Sequence, residues 1–133
     1  GRVPAELTTA EFFADAARVL RADGVLLANL ADGPPLQFAR RVVAALESAL
    51  PNVLIRADAA VLRGRRFGNL VLAASRTELP VGELYRIAAG ATFPQRVVSG
   101  AALRGFVAGA VPLTDASAMR SPPPPDEIWR VGG

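Results

Sequence analysis

The feature that most constrains this chain is the run Val25-Leu26-Leu27-Ala28-Asn29-Leu30, fenced by Asp23-Gly24 on one side and Asp32-Gly33-Pro34-Pro35 on the other. A nearly unbroken apolar stretch of strand length between turn residues predicts a β-strand covered on both faces, as strands are in parallel sheets. Such a strand needs helices around it, and the flanking residues supply helical patterns. Upstream, Thr8 and Glu11 form a capping box that starts a helix at Thr9. Phe12, Phe13, Ala16, Val19 and Leu20 recur at helical spacing as far as Arg21, with Glu11, Asp15 and Arg18 on the opposite side. Gly24, able to take positive φ, is expected to end that helix. Downstream, Asp32 is a candidate N-cap and the two prolines suit a first helical turn. The helix that follows is expected to run to Leu50, burying Leu36, Ala39, Val43, Leu46 and Leu50 and exposing Gln37, Arg40, Arg41, Glu47 and Ser48.

Beyond Pro51-Asn52, Val53 to Ala57 reads as a second strand and Asn69 to Ser75 as a third. The stretch between them is expected to be irregular and too short for a crossover, which predicts antiparallel pairing. The first and second strands are instead joined by a helix, the connection of α/β folds. A helix over Val81 to Ala89 follows Pro80, and Ser99 is a candidate cap for a short helix from Gly100 to Ala108. Residues 1–120 are expected to form one partial α/β domain. Residues 121–133 are expected to form a proline-rich, extended tail carrying Ile128 and Trp129 on its surface.

Several chemistries are excluded by what is missing. With no histidine, cysteine or lysine anywhere in the 133 residues, the chain cannot itself supply a Ser-His-Asp relay, a thiolate nucleophile, a Schiff-base lysine or a His/Cys zinc site. It contains neither a P-loop nor a GxGxxG turn. All fifteen basic residues are arginine, and the net charge is only +3. The arginines are scattered apart from Arg63, Arg65 and Arg66, and lack the interleaved aromatics on which bases stack, so nucleic-acid binding is not expected. No apolar run approaches the roughly 20 residues that span a bilayer, and no leader is evident; no membrane partner is expected, and the expected location is cytoplasmic.

Three strings point further. Val3-Pro4-Ala5-Glu6-Leu7-Thr8-Thr9-Ala10-Glu11-Phe12, Leu20-Arg21-Ala22-Asp23-Gly24-Val25-Leu26 and Arg66-Phe67-Gly68-Asn69-Leu70-Val71-Leu72-Ala73-Ala74-Ser75 occur here in that order. They resemble, respectively, the PAE-L-T-x-EF segment, the LRPGGVL turn and the last-strand segment of spermidine synthase-like proteins. The resemblance covers Val3 to Ser75. It implies an α/β fold corresponding to the C-terminal part of a methyltransferase-like Rossmann domain: one buried strand plus an antiparallel terminal strand pair, with flanking helices. The activity it implies is aminopropyl transfer from decarboxylated S-adenosylmethionine, with a neutral amine attacking the carbon next to the sulfonium. In the family, the glycine-rich donor turn and the acidic loop that holds and deprotonates the amine lie upstream of the matched segment. No catalytic residue and no bound cofactor are therefore expected of this chain alone. A related expectation is the same portion of a methyltransferase-like enzyme that uses S-adenosylmethionine; a non-enzymatic structural or assembly module is the third.

The resemblance also marks candidate substrate contacts. Asn29 approaches the carboxyl end of the buried strand, where open α/β sheets place ligands, at a point where the family usually carries a glutamine near the polyamine. Asp32 could attract an amine or serve as a helix cap. Arg63, with Arg65 and Arg66, falls where polyamine-using members carry a pocket tyrosine. A guanidinium there would repel a cationic polyamine, and it suits an anionic ligand or a solvated surface. Glu6 and Glu11 read as a loop residue and a capping partner. Because the family's strand corresponding to Val25–Leu30 is interior, the chain is expected to pair through that edge, with a second copy or with a preceding half.

Overall fold

The computed structural model describes residues 7–118 and 122–123; Glu6, Ile128, Trp129 and most of the proline-rich tail lie outside the described residues. The elements run α1 (Ala10–Val19), β1 (Val25–Asp32), α2 (Gln37–Ala49), β2 (Asn52–Asp58), α3 (Ala59–Leu62), β3 (Gly68–Ser75), α4 (Val81–Ala89), β4 (Gln95–Val98) and α5 (Gly100–Val107), followed by a 3-10 turn over Asp115–Ser117. The four strands form one sheet in the order β1-β3-β2-β4. Every neighbouring pair is antiparallel. It follows that β1 and β2 point the same way, as a helical crossover through α2 requires, with β3 inserted between them.

The expected α/β class, the helix-joined strands and the antiparallel β2–β3 pair are all present. One expectation about β1 is corrected. Its residues are not covered on both faces: Leu30 is 2% exposed, whereas Val25 is 48% and Leu27 69% exposed. Within the described residues β1 is an edge strand whose second face has no helix over it, so exposure alternates along a run whose composition does not.

The two faces of the sheet differ in cover. On one, Leu26, Ala28 and Leu30 of β1 join Leu70, Leu72 and Ala74 of β3 and Val53, Ile55 and Ala57 of β2, packed beneath α1, α2 and α5. Helix α2 is buried on more than the predicted face, with Phe38, Val42, Ala44 and Ala45 also inside. The sheet lies below it while α1, α5 and the segment to Leu113 close around it. On the other face, α4 covers only Leu54, Ala73 and Val97, using Val81, Leu84 and Ala88, with Leu79 beside them.

Local chemistry explains where the helices begin and end. Thr9, not Thr8, is the N-cap of α1: its hydroxyl accepts from the Phe12 N–H at 3.1 Å and donates to Asp115 at 2.7 Å. The Glu11 carboxylate does not close a capping box but accepts from the Asp115 N–H at 3.2 Å, tying the later segment across α1. Helix α1 stops at Val19, short of the expected Arg21, because Leu20 is extended. The Arg76 guanidinium then donates to the Leu20 carbonyl and, beside the Leu20 N–H, to the Ala17 carbonyl at that end. Gly24 therefore does not end the helix through positive φ. A Cβ there would sit 2.9 Å from Leu20 Cδ1 and 3.2 Å from the Arg21 carbonyl oxygen, so a larger residue would require the Leu20 side chain to shift. The short α3, in a stretch expected to be irregular, is capped by Asp58, which accepts from the Ala60 N–H at 2.8 Å.

Candidate functional site

The antiparallel registers place residues in rows across the sheet, and directly opposed residues share a face. One row on the thinly covered face reads Asn29, Val71, Arg56, Val97, and the adjoining positions toward the same end are Ala31 opposite Asn69 and Asp58 opposite Gln95. Helix α4 covers the far end of this face through Leu54 and Ala73, so Asn29, Arg56 and Asn69 remain exposed. The result is an open, polar end of the sheet around the half-buried Val71.

The chain closes this end into a cleft. Asp58 ends β2, α3 turns the chain and Arg63 to Arg66 lead back into β3. From the other side Phe93-Pro94-Gln95 enters β4, pinned by the Ala59 N–H donating to the Pro94 carbonyl at 3.0 Å. The cleft has a volume of about 1020 Å³, with Arg56, Asp58, Asn69 and Val71 in it and Arg63, Arg66, Phe93 and Gln95 around it. Gly68 opens β3 and is required by proximity, because a Cβ on it would lie 2.5 Å from Val61 Cγ2.

Charges in the cleft are organised. Arg66 binds the Asp58 carboxylate at 2.6 Å, and the other Asp58 oxygen accepts from Ala60. The Ala60 hydrogen bond, with further help from Arg66, holds the Asp58 carboxyl below its usual range. Among the described residues, Arg56 and Arg63 have no ion-pair or hydrogen-bond partner for their guanidinium groups. No group of three or more acidic residues is placed to hold a metal among the described residues.

The three candidate substrate contacts do not converge. Asn29 is exposed on the open face, opposite Val71 of the cleft. Arg63 stands at the cleft wall. Asp32 belongs to the opposite face of β1, where it is 3% exposed. Its Oδ1 accepts from the Gly33 N–H and its Oδ2 from the Ala39 N–H, both at 2.8 Å. It thus serves the first turn of α2 from four residues before the positional N-cap, Leu36, which is left-handed at φ 65°. The prolines precede the helix instead of occupying its first turn. Burial pushes the Asp32 carboxyl above its usual value, against the two backbone hydrogen bonds and the charge of Arg40.

Arg56, Asn69, Phe93 and Gln95 were not singled out by their sequence context. Arg56 alone carried a usable signal: a charge inside the apolar strand Val53–Ala57 marks a position where one sheet face meets solvent. Asn69 and Gln95 come to lie opposite Ala31 and Asp58, respectively, only through strand register, which no local pattern encodes.

No protein-family model matches the sequence, and no curated protein is significantly similar to it. Among solved structures, the chain is similar to a probable spermidine synthase from Corynebacterium glutamicum ATCC 13032. The identity is 29% and the TM-score 0.79 over 91% of this chain and 46% of that one. The chain therefore has a spermidine synthase-like fold and spans less than half the length of that protein.

Proposed function

We propose that these residues are the C-terminal part of a spermidine synthase-like protein of the aminopropyltransferase type, drawing on decarboxylated S-adenosylmethionine, and that they do not catalyse transfer alone. The observation that carries this reading is the likeness to the probable spermidine synthase across 91% of the chain. The three strings that resemble the family support it from the sequence side. No residue is assigned to the donor, because the glycine-rich turn that would hold it is not in this sequence. Asn29, exposed at the open end of the sheet, is the proposed contact to an acceptor. Asp32 is left out, since both of its oxygens already serve backbone groups.

On this reading the free edge of β1, with Val25 and Leu27 beside it, is where another strand pairs, supplied by a preceding half or by a second copy. The test is to express the complete open reading frame containing these residues beside the 133-residue chain, and to supply each with decarboxylated and ordinary S-adenosylmethionine plus an amine acceptor. Aminopropyl product from the complete protein and none from the chain is the expected result. Methylated product from the ordinary donor would identify a methyltransferase relative instead. Failure of the complete protein to bind either donor would leave a structural or assembly module as the better reading.

A further inference from the structure

We infer that the cleft between the α3–β3 connection and the start of β4 is a binding site for a small organic anion, a carboxylate or phosphate ester with an apolar body. This goes beyond the aminopropyl-transfer reading and does not depend on it. The first argument is charge. The cleft gathers three guanidinium groups, Arg56, Arg63 and Arg66, against the single carboxylate of Asp58. That carboxylate is already committed to Arg66 and to the Ala60 N–H. Arg56 and Arg63 are left with their full donor sets unpaired among the described residues, and such forks match carboxylate and phosphate oxygens.

The second argument is position. Arg56 does not sit on a helix surface or a loop, where an unpaired arginine is ordinary solvated charge. It lies on β2, which has strands on both sides, between Val71 and Val97 in the cross-strand row. Its base is held by the sheet, and α4 stops short of covering it. Arg66 is held by its 2.6 Å bond to Asp58, so part of the basic wall is ordered before any ligand arrives.

The third argument is the apolar component. Phe93 is 69% exposed at the rim, and Val71 lies half-buried in the cleft, offering an aromatic face and an aliphatic floor beside the guanidinia. The amides of Asn69 and Gln95 add donors and acceptors that can orient a ligand. A cationic polyamine finds no free carboxylate here. A nucleic acid would call for a basic track with several stacking aromatics, whereas this cleft holds one.

Phenyl phosphate is a suitable probe because it joins a phosphate to an aromatic ring. The ¹⁵N-labelled 133-residue chain is titrated with it, with inorganic phosphate, with spermidine and with an oligothymidylate, following the amides of 56–71 and 93–97 and the arginine Nε–H signals. The expected result is saturable shifts confined to these residues, tighter for phenyl phosphate than for inorganic phosphate and absent with spermidine. Arg56→Gln and Arg63→Gln, both at exposed positions, should each weaken binding about tenfold or more, the usual cost of a lost charge-assisted contact. Arg86→Gln, an exposed arginine on α4 away from the cleft lining, should leave it unchanged. The inference is overturned by non-saturable shifts, by an equal loss in Arg86→Gln, by a preference for spermidine, or by oligothymidylate shifts that spread over arginines outside the cleft.

Discussion

Replacing Asp32 separates a structural carboxylate from a substrate-binding one. Asp32 is 3% exposed and accepts two backbone N–H bonds at 2.8 Å, one of them the buried bond from Ala39 in the first turn of α2. Asp32→Ala removes a capping acceptor and strands a buried donor; caps contribute about 0.5–2 kcal/mol and an unsatisfied buried group costs about 1–3 kcal/mol. Part of that loss is offset, because the charge being removed is one that burial disfavours. A net destabilisation of about 2 kcal/mol is expected. Asp32→Asn keeps one oxygen but turns an amide donor toward the other N–H, and should cost about 1–2 kcal/mol. Urea unfolding followed by circular dichroism measures both.

The pH dependence of Asp32 has a definite sign. Its folded carboxyl titrates above the usual 3.8, so the native state holds the proton at pH values where the unfolded chain has released it. The stability this contributes is fully present below 3.8 and is lost as pH rises through the folded value. Wild type should therefore lose stability relative to the non-titrating Asp32→Asn variant over that window. Unfolding free energies unchanged within about 0.5 kcal/mol in Asp32→Ala would refute the capping role and return Asp32 to the candidate ligand contacts, whereas a wild-type advantage that grows with pH would show that the two backbone hydrogen bonds outweigh burial and would refute the raised titration.

Gly68→Ala should destabilise by about 1–3 kcal/mol, since its Cβ would meet Val61 Cγ2 at 2.5 Å in a buried, β-branched neighbour. The double variant Gly68→Ala/Val61→Ala should cost clearly less than the two single losses added, and strict additivity in urea unfolding would show that the contact is not what excludes a side chain. Leu27→Lys, at a position 69% exposed on the free edge, should leave folding stability within about 0.5 kcal/mol while abolishing association seen by light scattering. A wild-type chain that stays monomeric at tens of micromolar, and whose β1 amides no preceding half protects from hydrogen exchange, would sink the pairing proposal. Asp58, whose carboxyl is held low by the Ala60 N–H and then by Arg66, should contribute stability above pH 3.8 that fades as pH falls through its folded value. Asp58→Asn should flatten that limb of the acid-unfolding curve.

The elements that were legible in the sequence are those whose burial repeats locally. The apolar spacing in Phe12 to Leu20 and Leu36 to Leu50 announces α1 and α2 because each helix turns one face inward, α1 onto α2 and α2 onto the sheet. The bounds of Val81–Ala89 are legible for a different reason, from Pro80 immediately before the helix, since only Ala88 is buried on it. Strand β4 is not legible, since four residues with only Val97 fully buried are too few to display an alternation. The left-handed Leu36 hid the start of α2: a large apolar residue carries no sign of positive φ, and the 2.7 Å bond from its N–H to the Gly33 carbonyl belongs to the turn. At the site, Asn29 and Arg63 were nameable because strand ends and basic loops are visible in one dimension. The joining of Arg56 to them through β3 is a consequence of strand order, which brings β2 beside β3 and leaves α4 covering only one end.

The composition of β1 bears on what the fold requires. An edge strand is ordinarily blunted by a proline, a bulge or an outward charge. Val25 to Leu30 has none of these, its pairing with β3 is unbroken from Val25 to Asp32, and its one charge, Asp32, is turned inward at the end. Leu27 on the bare face would gain about 1.5–3 kcal/mol from full burial, and the unpaired side of the strand presents backbone groups that another strand would satisfy. These features support the proposed pairing of β1 with a further strand. The same geometry sets the open end of the sheet, with Asn29 and Arg56 in one row, beside whatever pairs there. No residue of β1 lines the arginine cleft and β3 lies between β1 and Arg56, so ligand binding and strand pairing can be measured as separate properties.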